Sequence, residues 1–304
     1  MSRPLKVGVQ LPEVERVVGW PELAQMAEAA ERIGLDSIWV GDHLLYRDDD
    51  GWARGPWEAW STLAALAAIT ERVEIGPLVA ATSFHNPAMI AKKAATIDEI
   101  SGGRLILGLG AGWNEAEYRA FGFPFDHRVS RFEEAFTIIR TLLADGRCDF
   151  DGTYYRLEDC LLLPRGPRPG GPPLLLGSTG ERMLRIGLPH VTAWNAWFHH
   201  FDNSVAGYLP LRGRVDAACR EVGRDPASLD RTVALFVAFP GALGRSEGDR
   251  TAPQVAPIDG DAAVLAPTLR AFADEGVRHV QLVLDPITVE SITALRPTLA
   301  ALDG

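Results

Sequence analysis

Lysine is nearly missing from this chain: Lys6, Lys92 and Lys93 are the only three among 304 residues. Two of them sit in a helical pattern, so a Schiff-base amine has few candidates and imine chemistry is not expected. Net positive charge is missing too. The formal charge is −10 at pH 7, which argues against nucleic acid and anionic membranes as partners, because both need clustered Lys and Arg to offset phosphate. Cysteine is scarce. Cys148, Cys160 and Cys219 are odd in number and lack CxxC spacing, which suits reduced thiols in a cytoplasmic protein better than a disulfide framework. No window approaches the roughly 18 apolar residues that cross a bilayer. Arg3 and Lys6 lead straight into a strand-like run rather than a leader's apolar region, so no signal peptide is expected. There is no Gly-x-Ser-x-Gly elbow, which disfavours a serine hydrolase. Small molecules are left as the expected partners.

Hydrophobic residues make up 47% of the chain, enough for one large core, and residues 1–304 read as a single domain. Short β-rich runs at 5–11, 37–40, 73–79, 104–109, 173–176, 191–194, 232–239 and 279–284 alternate with helical patterns. Eight such runs predict βαβ units closing into a (β/α)8 TIM barrel with insertions in the βα loops. One helix is marked by Pro21 in its first turn, by Leu23, Met26, Ala27, Ala30 and Ile33 on one face, and by Gly34 as its stop. Another carries the stripe Phe132, Ala135, Phe136, Ile139, Leu142 and Leu143, read as core packing. The interval between the fourth and fifth runs is too long for a simple crossover and must hold an insertion, which ends in the stiff segment 164–173. Residues 241–259 follow the seventh strand as a polar, Gly-rich stretch, either a mobile lid or a plain surface loop.

Catalytic groups of such a barrel gather where strands end and βα loops begin. The first run ends at Gln10. The second delivers Asp42 and His43 together, a carboxylate and an imidazole that can handle a proton near neutral pH, or else cap a helix or bridge loops. After the third comes Phe84-His85-Asn86-Pro87, with Asn86 placed to cap a helix starting at Pro87 and His85 either catalytic or simply on the surface. The fourth supplies Gly110-Ala111-Gly112-Trp113-Asn114, whose glycines either admit an anionic cofactor tail to backbone N–H groups or merely make a tight turn. Gly177-Ser178-Thr179-Gly180, after the fifth, offers amides and hydroxyls of the same kind. The sixth ends in Trp194-Asn195-Ala196-Trp197-Phe198-His199-His200, aromatic surface that either walls a flat ligand or fills core. Adjacent His199 and His200 lack the spacing of a helical metal pair, so no metal is expected.

Taken together, these residues resemble the luciferase-like superfamily, in particular its branch using the deazaflavin coenzyme F420 and relatives using FMN. The most specific stretch runs from Phe84-His85-Asn86-Pro87 through Lys92-Lys93 to Ser101-Gly102-Gly103-Arg104 and Gly108-Leu109-Gly110-Ala111-Gly112-Trp113-Asn114, followed by Glu117, Phe121-Gly122-Phe123-Pro124-Phe125 and Arg128. The resemblance implies a homodimeric barrel holding F420, or alternatively FMN, at its strand C-termini. It implies hydride transfer to or from a small organic substrate, with a two-component FMN monooxygenase and a non-catalytic flavin-binding protein as the alternatives. By position, His43 would handle the proton and Asp42 would contact the ring. Pro77-Leu78 would form a non-proline cis peptide against the ring's face. Gln10, Ala80, Gly110, Ala111, Gly112, Gly177, Ser178, Thr179, Trp194 and Asn195 would complete the cofactor site, and Trp52, Trp57, Trp113, Trp197 and Phe198 would wall the substrate. Three positions depart from the pattern: Ala80 where Thr is common, Thr192-Ala193 where Asp-Gly is common, and Trp113 where a sugar-phosphate dehydrogenase has Glu.

Overall fold

A computed structural model describes residues 3–47, 51–245 and 255–304. Its main sheet contains β1 (Lys6–Gln10), β2 (Ser37–Val40), β3 (Glu74–Pro77), β4 (Leu107–Gly110), β5 (Leu174–Gly177), β6 (Ala193–Ala196), β7 (Asp230–Ala238) and β8 (Val277–Asp285). All pair in parallel, in the order β3-β2-β1-β8-β7-β6-β5-β4. The ring closes where a continuation of β3, Ala80–Ala81, pairs with β4 and where Ile75 bridges Leu105. Each of the eight predicted runs contributes a barrel strand. Val7, Val9, Ile38, Ile75, Leu107, Leu109, Val233 and Leu282 are wholly buried, as expected of a parallel sheet covered on its outer face by helices and filled within.

The helices start and stop for the expected reasons. Trp20–Ile33 has Pro21 in its first turn and ends on Gly34 at φ 93°, a left-handed position that glycine adopts without a Cβ penalty. Pro87–Ile100 is capped by the Asn86 side chain, which accepts from the N–H groups of Ala88 and Met89. Arg128–Asp145 buries all six residues of its predicted stripe. The long interval between β4 and β5 holds two helices, Glu115–Phe121 and Arg128–Asp145, and an unforeseen antiparallel hairpin, Arg147–Asp151 with Arg156–Leu161. Of the segment 241–259, residues 246–254 lie outside the described residues, so the lid expectation falls largely on them. Among the described residues no helix is long and apolar enough to cross a membrane.

The barrel interior is layered and partly polar. A Cβ on Gly8 would fall 1.9 Å from Ser37 Oγ, so glycine there makes room for a hydrogen-bonded layer. Trp39 Nε1 donates to Ser37 Oγ at 2.7 Å, and Ser37 Oγ meets His279 Nε2 at 2.7 Å. His279 is buried, and burial, aided by Lys6, pushes its imidazole down to about 3. Toward the strand C-termini, Asn195 Nδ2 donates to Thr232 Oγ1 and Gln281 Oε1, both at 2.8 Å. Above this layer the barrel opens.

Candidate active site

At the C-terminal mouth lies a cavity of about 1040 Å³, at the upper end of the range for ligand sites and roomy enough for a cofactor and a small substrate together. Its wall begins where β2 ends. Gly41 is followed at once by Asp42 and His43, and glycine is needed at 41 because a Cβ would stand 2.4 Å from the Glu13 carboxylate. Glu13, in the loop after β1, thereby closes onto the strand end that delivers the Asp-His pair.

His43 is held by carboxylates. Its Nδ1 lies 2.9 and 3.1 Å from the two oxygens of Glu117, whose side chain is 1% exposed and which also accepts from the N–H groups of Leu44 and Leu45 at 3.0 and 3.1 Å. A carboxylate already accepting from two amides takes Nδ1–H as a third donor, so the other nitrogen, Nε2, is turned to Glu13 Oε1 at 3.5 Å. Glu13 is itself crowded with donors: Gln10 Nε2, Tyr46 Oη and Arg245 all reach it. Burial pushes the Glu13 carboxyl up, but His43 and Arg245 outweigh it and hold it below the usual carboxylate range. Arg245 also pairs with Glu15 and stacks over Trp197, 5.3 Å from the ring centroid.

Asp42 faces the other way. Its Oδ2 accepts from Ala81 N at 2.9 Å and lies 3.0 Å from His85 Nε2. Its Oδ1 is buried with no partner among the described residues. That bare oxygen at the cavity wall is the strongest local sign of a ligand, because a buried carboxylate oxygen left unpaired costs free energy unless a donor is brought to it. The residues present therefore fit a ring cofactor that carries N–H or O–H donors.

Of the residues expected from the sequence, Asp42, His43, Leu78, Gly110, Ala111, Gly112, Gly177, Ser178, Thr179, Asn195, Trp113, Trp197 and Phe198 all line this one cavity. Others stand elsewhere. Gln10 lies beneath, donating to Glu13, and Pro77 and Ala80 are sheet residues behind the wall. Trp194 is wholly buried, with Nε1 donating to Ser178 O at 2.7 Å, so it braces the loop instead of facing the cavity. Trp52 lies beside Arg54, and Trp57 is 59% exposed, donates to Val18 O and borders a separate small hollow. Neither tryptophan is among the described residues that line the cavity.

One expectation changes in detail and another gains a second reason. The non-proline cis peptide is Leu78-Val79, one bond later than the expected Pro77-Leu78. The rim glycines also have a packing reason: a Cβ on Gly110 or Gly177 would come within 2.7 Å of the Val79 side chain, and one on Gly112, at φ 76°, would meet Tyr118 Oη at 2.1 Å. Gly110 and Gly177 seat Val79 in the mouth of the barrel. The residues that sequence reasoning gave no role are Glu13, Tyr46, Glu117, Arg245 and Asp285, which accepts from Leu243 N and Gly244 N and lines the cavity. Glu13 and Asp285 sit at or just past strand ends, which was the one signal available for them.

Residues 6–240 match the luciferase-like monooxygenase family. The F420-dependent glucose-6-phosphate dehydrogenase of Amycolatopsis mediterranei is 39% identical over 171 residues, covering 54% of this chain and 50% of that protein. Pyrimidine monooxygenase RutA of Cronobacter sakazakii is 34% identical over 176 residues, covering 56% and 51%. The matched stretch thus spans about half the length of either relative. Among solved structures, an F420-dependent secondary alcohol dehydrogenase in complex with an F420-acetone adduct superposes with a TM-score of 0.79 at 19% identity, over 99% of both chains. That likeness is one of fold.

Proposed function

The chain belongs to the luciferase-like monooxygenase family, and from that premise we propose that it is an oxidoreductase that binds coenzyme F420 and acts on a small, largely apolar organic substrate. The observation that carries the reading is His43 fixed at the cavity wall between two buried carboxylates. A bound deazaflavin supplies hydride transfer at its ring. The protein supplies the proton handling and the positioning.

With Nδ1 held by Glu117 and Nε2 turned toward Glu13, His43 stands where it would exchange a proton with a substrate O–H or N–H at the cavity wall. Its charged form lies between two carboxylates. Asp42 would accept from the cofactor through Oδ1, and Leu78 and Val79, which line the same cavity, would pack against it. Ser178 and Thr179 would offer hydroxyls to the cofactor's tail, while Trp113, Trp197 and Phe198 would exclude water around the substrate. Trp113 sits 5.6 Å from the His43 ring, edge to face. It puts an apolar surface where a sugar phosphate would need polar contacts, which favours a substrate without that group.

The relative named as a pyrimidine monooxygenase favours a second reading, a monooxygenase in which reduced FMN passes electrons to O2. Parallel fluorescence titration of the purified protein with F420 and with FMN separates them. Tight F420 binding with weak FMN binding is expected; tight FMN binding with no F420 binding overturns the proposal.

A further inference from the structure

We propose that His85 is a positioning residue for Asp42, and that Lys93 fixes the tautomer in which it acts. The inference rests on the reading of Asp42 as the carboxylate that meets the cofactor ring.

The Asp42 side chain is 1% exposed, and its two oxygens are treated unequally. Oδ2 is held from two sides, by Ala81 N at 2.9 Å and by His85 Nε2 at 3.0 Å, while Oδ1 has no partner among the described residues. Two donors on one oxygen fix the plane of the carboxylate and leave the other oxygen as an acceptor for a ligand. This holds only if His85 Nε2 carries a proton. In the opposite tautomer a nitrogen lone pair would face a carboxylate lone pair at 3.0 Å, and the two would repel.

The groups around the ring determine which tautomer forms. Lys93 Nζ lies 3.4 Å from His85 Nδ1, and an ammonium has protons to give and no lone pair. Nδ1 must then accept, which places the ring proton on Nε2, toward Asp42. Trp60 pulls the other way: its Nε1–H stands 3.1 Å from His85 Nε2 and would be satisfied by a lone pair there. Lys93 is therefore needed to decide the matter. It comes from the helix Pro87–Ile100, Trp60 from the helix Ala59–Ile69, and Asp42 from the end of β2. Glu58, at the N-cap of the second of these helices, interacts electrostatically with Lys93. The pair His85–Lys93 is separate from the pair His43–Glu117 and holds the neighbouring residue, so each member of Asp42-His43 has its own support.

The experiment has two arms. In the first, nitrogen NMR of histidine-labelled protein reads the His85 tautomer, assigned by its disappearance in His85→Gln. Wild type is expected to show Nε2–H near neutral pH, and Lys93→Met a mixture in which Nδ1–H appears. In the second, affinity for F420 and FMN is measured for wild type, His85→Gln, His85→Leu and Lys93→Met. Glutamine places an amide donor where Nε2 stands and should keep affinity within about threefold, whereas leucine removes a hydrogen bond to a charged group and should weaken binding about tenfold or more. Nδ1–H in the wild type, or wild-type affinity in a folded His85→Leu, overturns the inference. If the wild type binds neither cofactor, the functional reading fails by itself, and the tautomer then decides whether His85 positions Asp42.

Discussion

Replacing Gly177 by alanine separates two reasons for a glycine at the rim, closeness to a cofactor and room for Val79. The new Cβ would lie 2.7 and 2.8 Å from the two γ-methyls of Val79 and 3.3 Å from its Cβ, all inside normal carbon contact. Val79 packs as closely on two other glycines, since Cβ positions built on Gly108 and Gly110 come within 2.9 and 2.7 Å of its methyls. Overpacking of this kind costs about 1–3 kcal/mol. Shortening Val79 to alanine removes the methyls that clash, at a cost of its own of about 1 kcal/mol. The double variant Val79→Ala/Gly177→Ala should then be more stable than the sum of the single changes by about 1–2 kcal/mol, within the usual span for residues in contact. Urea unfolding of the four proteins in a double-mutant cycle measures this coupling, with the slope checked for constancy. If Gly177→Ala loses F420 or FMN binding at unchanged stability, with no coupling to Val79, the packing explanation is wrong and the glycine serves the ligand directly.

Two further perturbations test the buried polar groups. His279 titrates near 6.5 in the unfolded chain and at about 3 in the folded protein. Between those values the unfolded state binds the extra proton, so this residue's share of stability is intact above pH 6.5 and falls by about 1.4 kcal/mol per unit as the pH drops toward 3. His279→Gln should flatten the fall in unfolding free energy between pH 6.5 and 5 by about 2 kcal/mol; equal slopes in both proteins would contradict neutral burial of the imidazole. At Glu117, glutamine can keep an oxygen toward Leu44 N, Leu45 N and His43 Nδ1, whereas leucine leaves all three donors unpaired. Thermal unfolding should therefore rank wild type, then Glu117→Gln, then Glu117→Leu, with the last destabilised by about 3–5 kcal/mol. A leucine variant as stable as the glutamine variant would mean that the donors find other partners.

The barrel was legible because parallel strands announce themselves one at a time: each is a short β-rich run with turn residues at its ends, and none needs knowledge of its partner. The Asp42-His43 pair was legible for the same reason, since a strand end is a local feature. The residues that support the pair were harder to read, because what assigns them a role is distance in space. Glu117 lies 74 residues from His43, and its carboxylate meets Nδ1 only because the helix after β4 folds back over the loop after β2. Arg245 reaches Glu13 across 232 residues, from the other end of the chain. The glycines show how two reasons can share one local pattern. Gly110-Ala111-Gly112 and Gly177 look alike as loop sequence whether they admit a phosphate or a neighbouring side chain, and the closeness of Val79 to Gly110 and Gly177 is a packing reason that no local pattern carries. Trp52 and Trp57 are not among the cavity's lining, and aromatic composition alone carries no position, whereas Trp113, Trp197 and Phe198 follow strand ends directly and reach the cavity. Proximity in sequence to the C-terminal end of a barrel strand was thus the usable signal for this site, and the residues it missed at a distance, Glu117 and Arg245, are those whose roles are set by contacts to another residue's side chain.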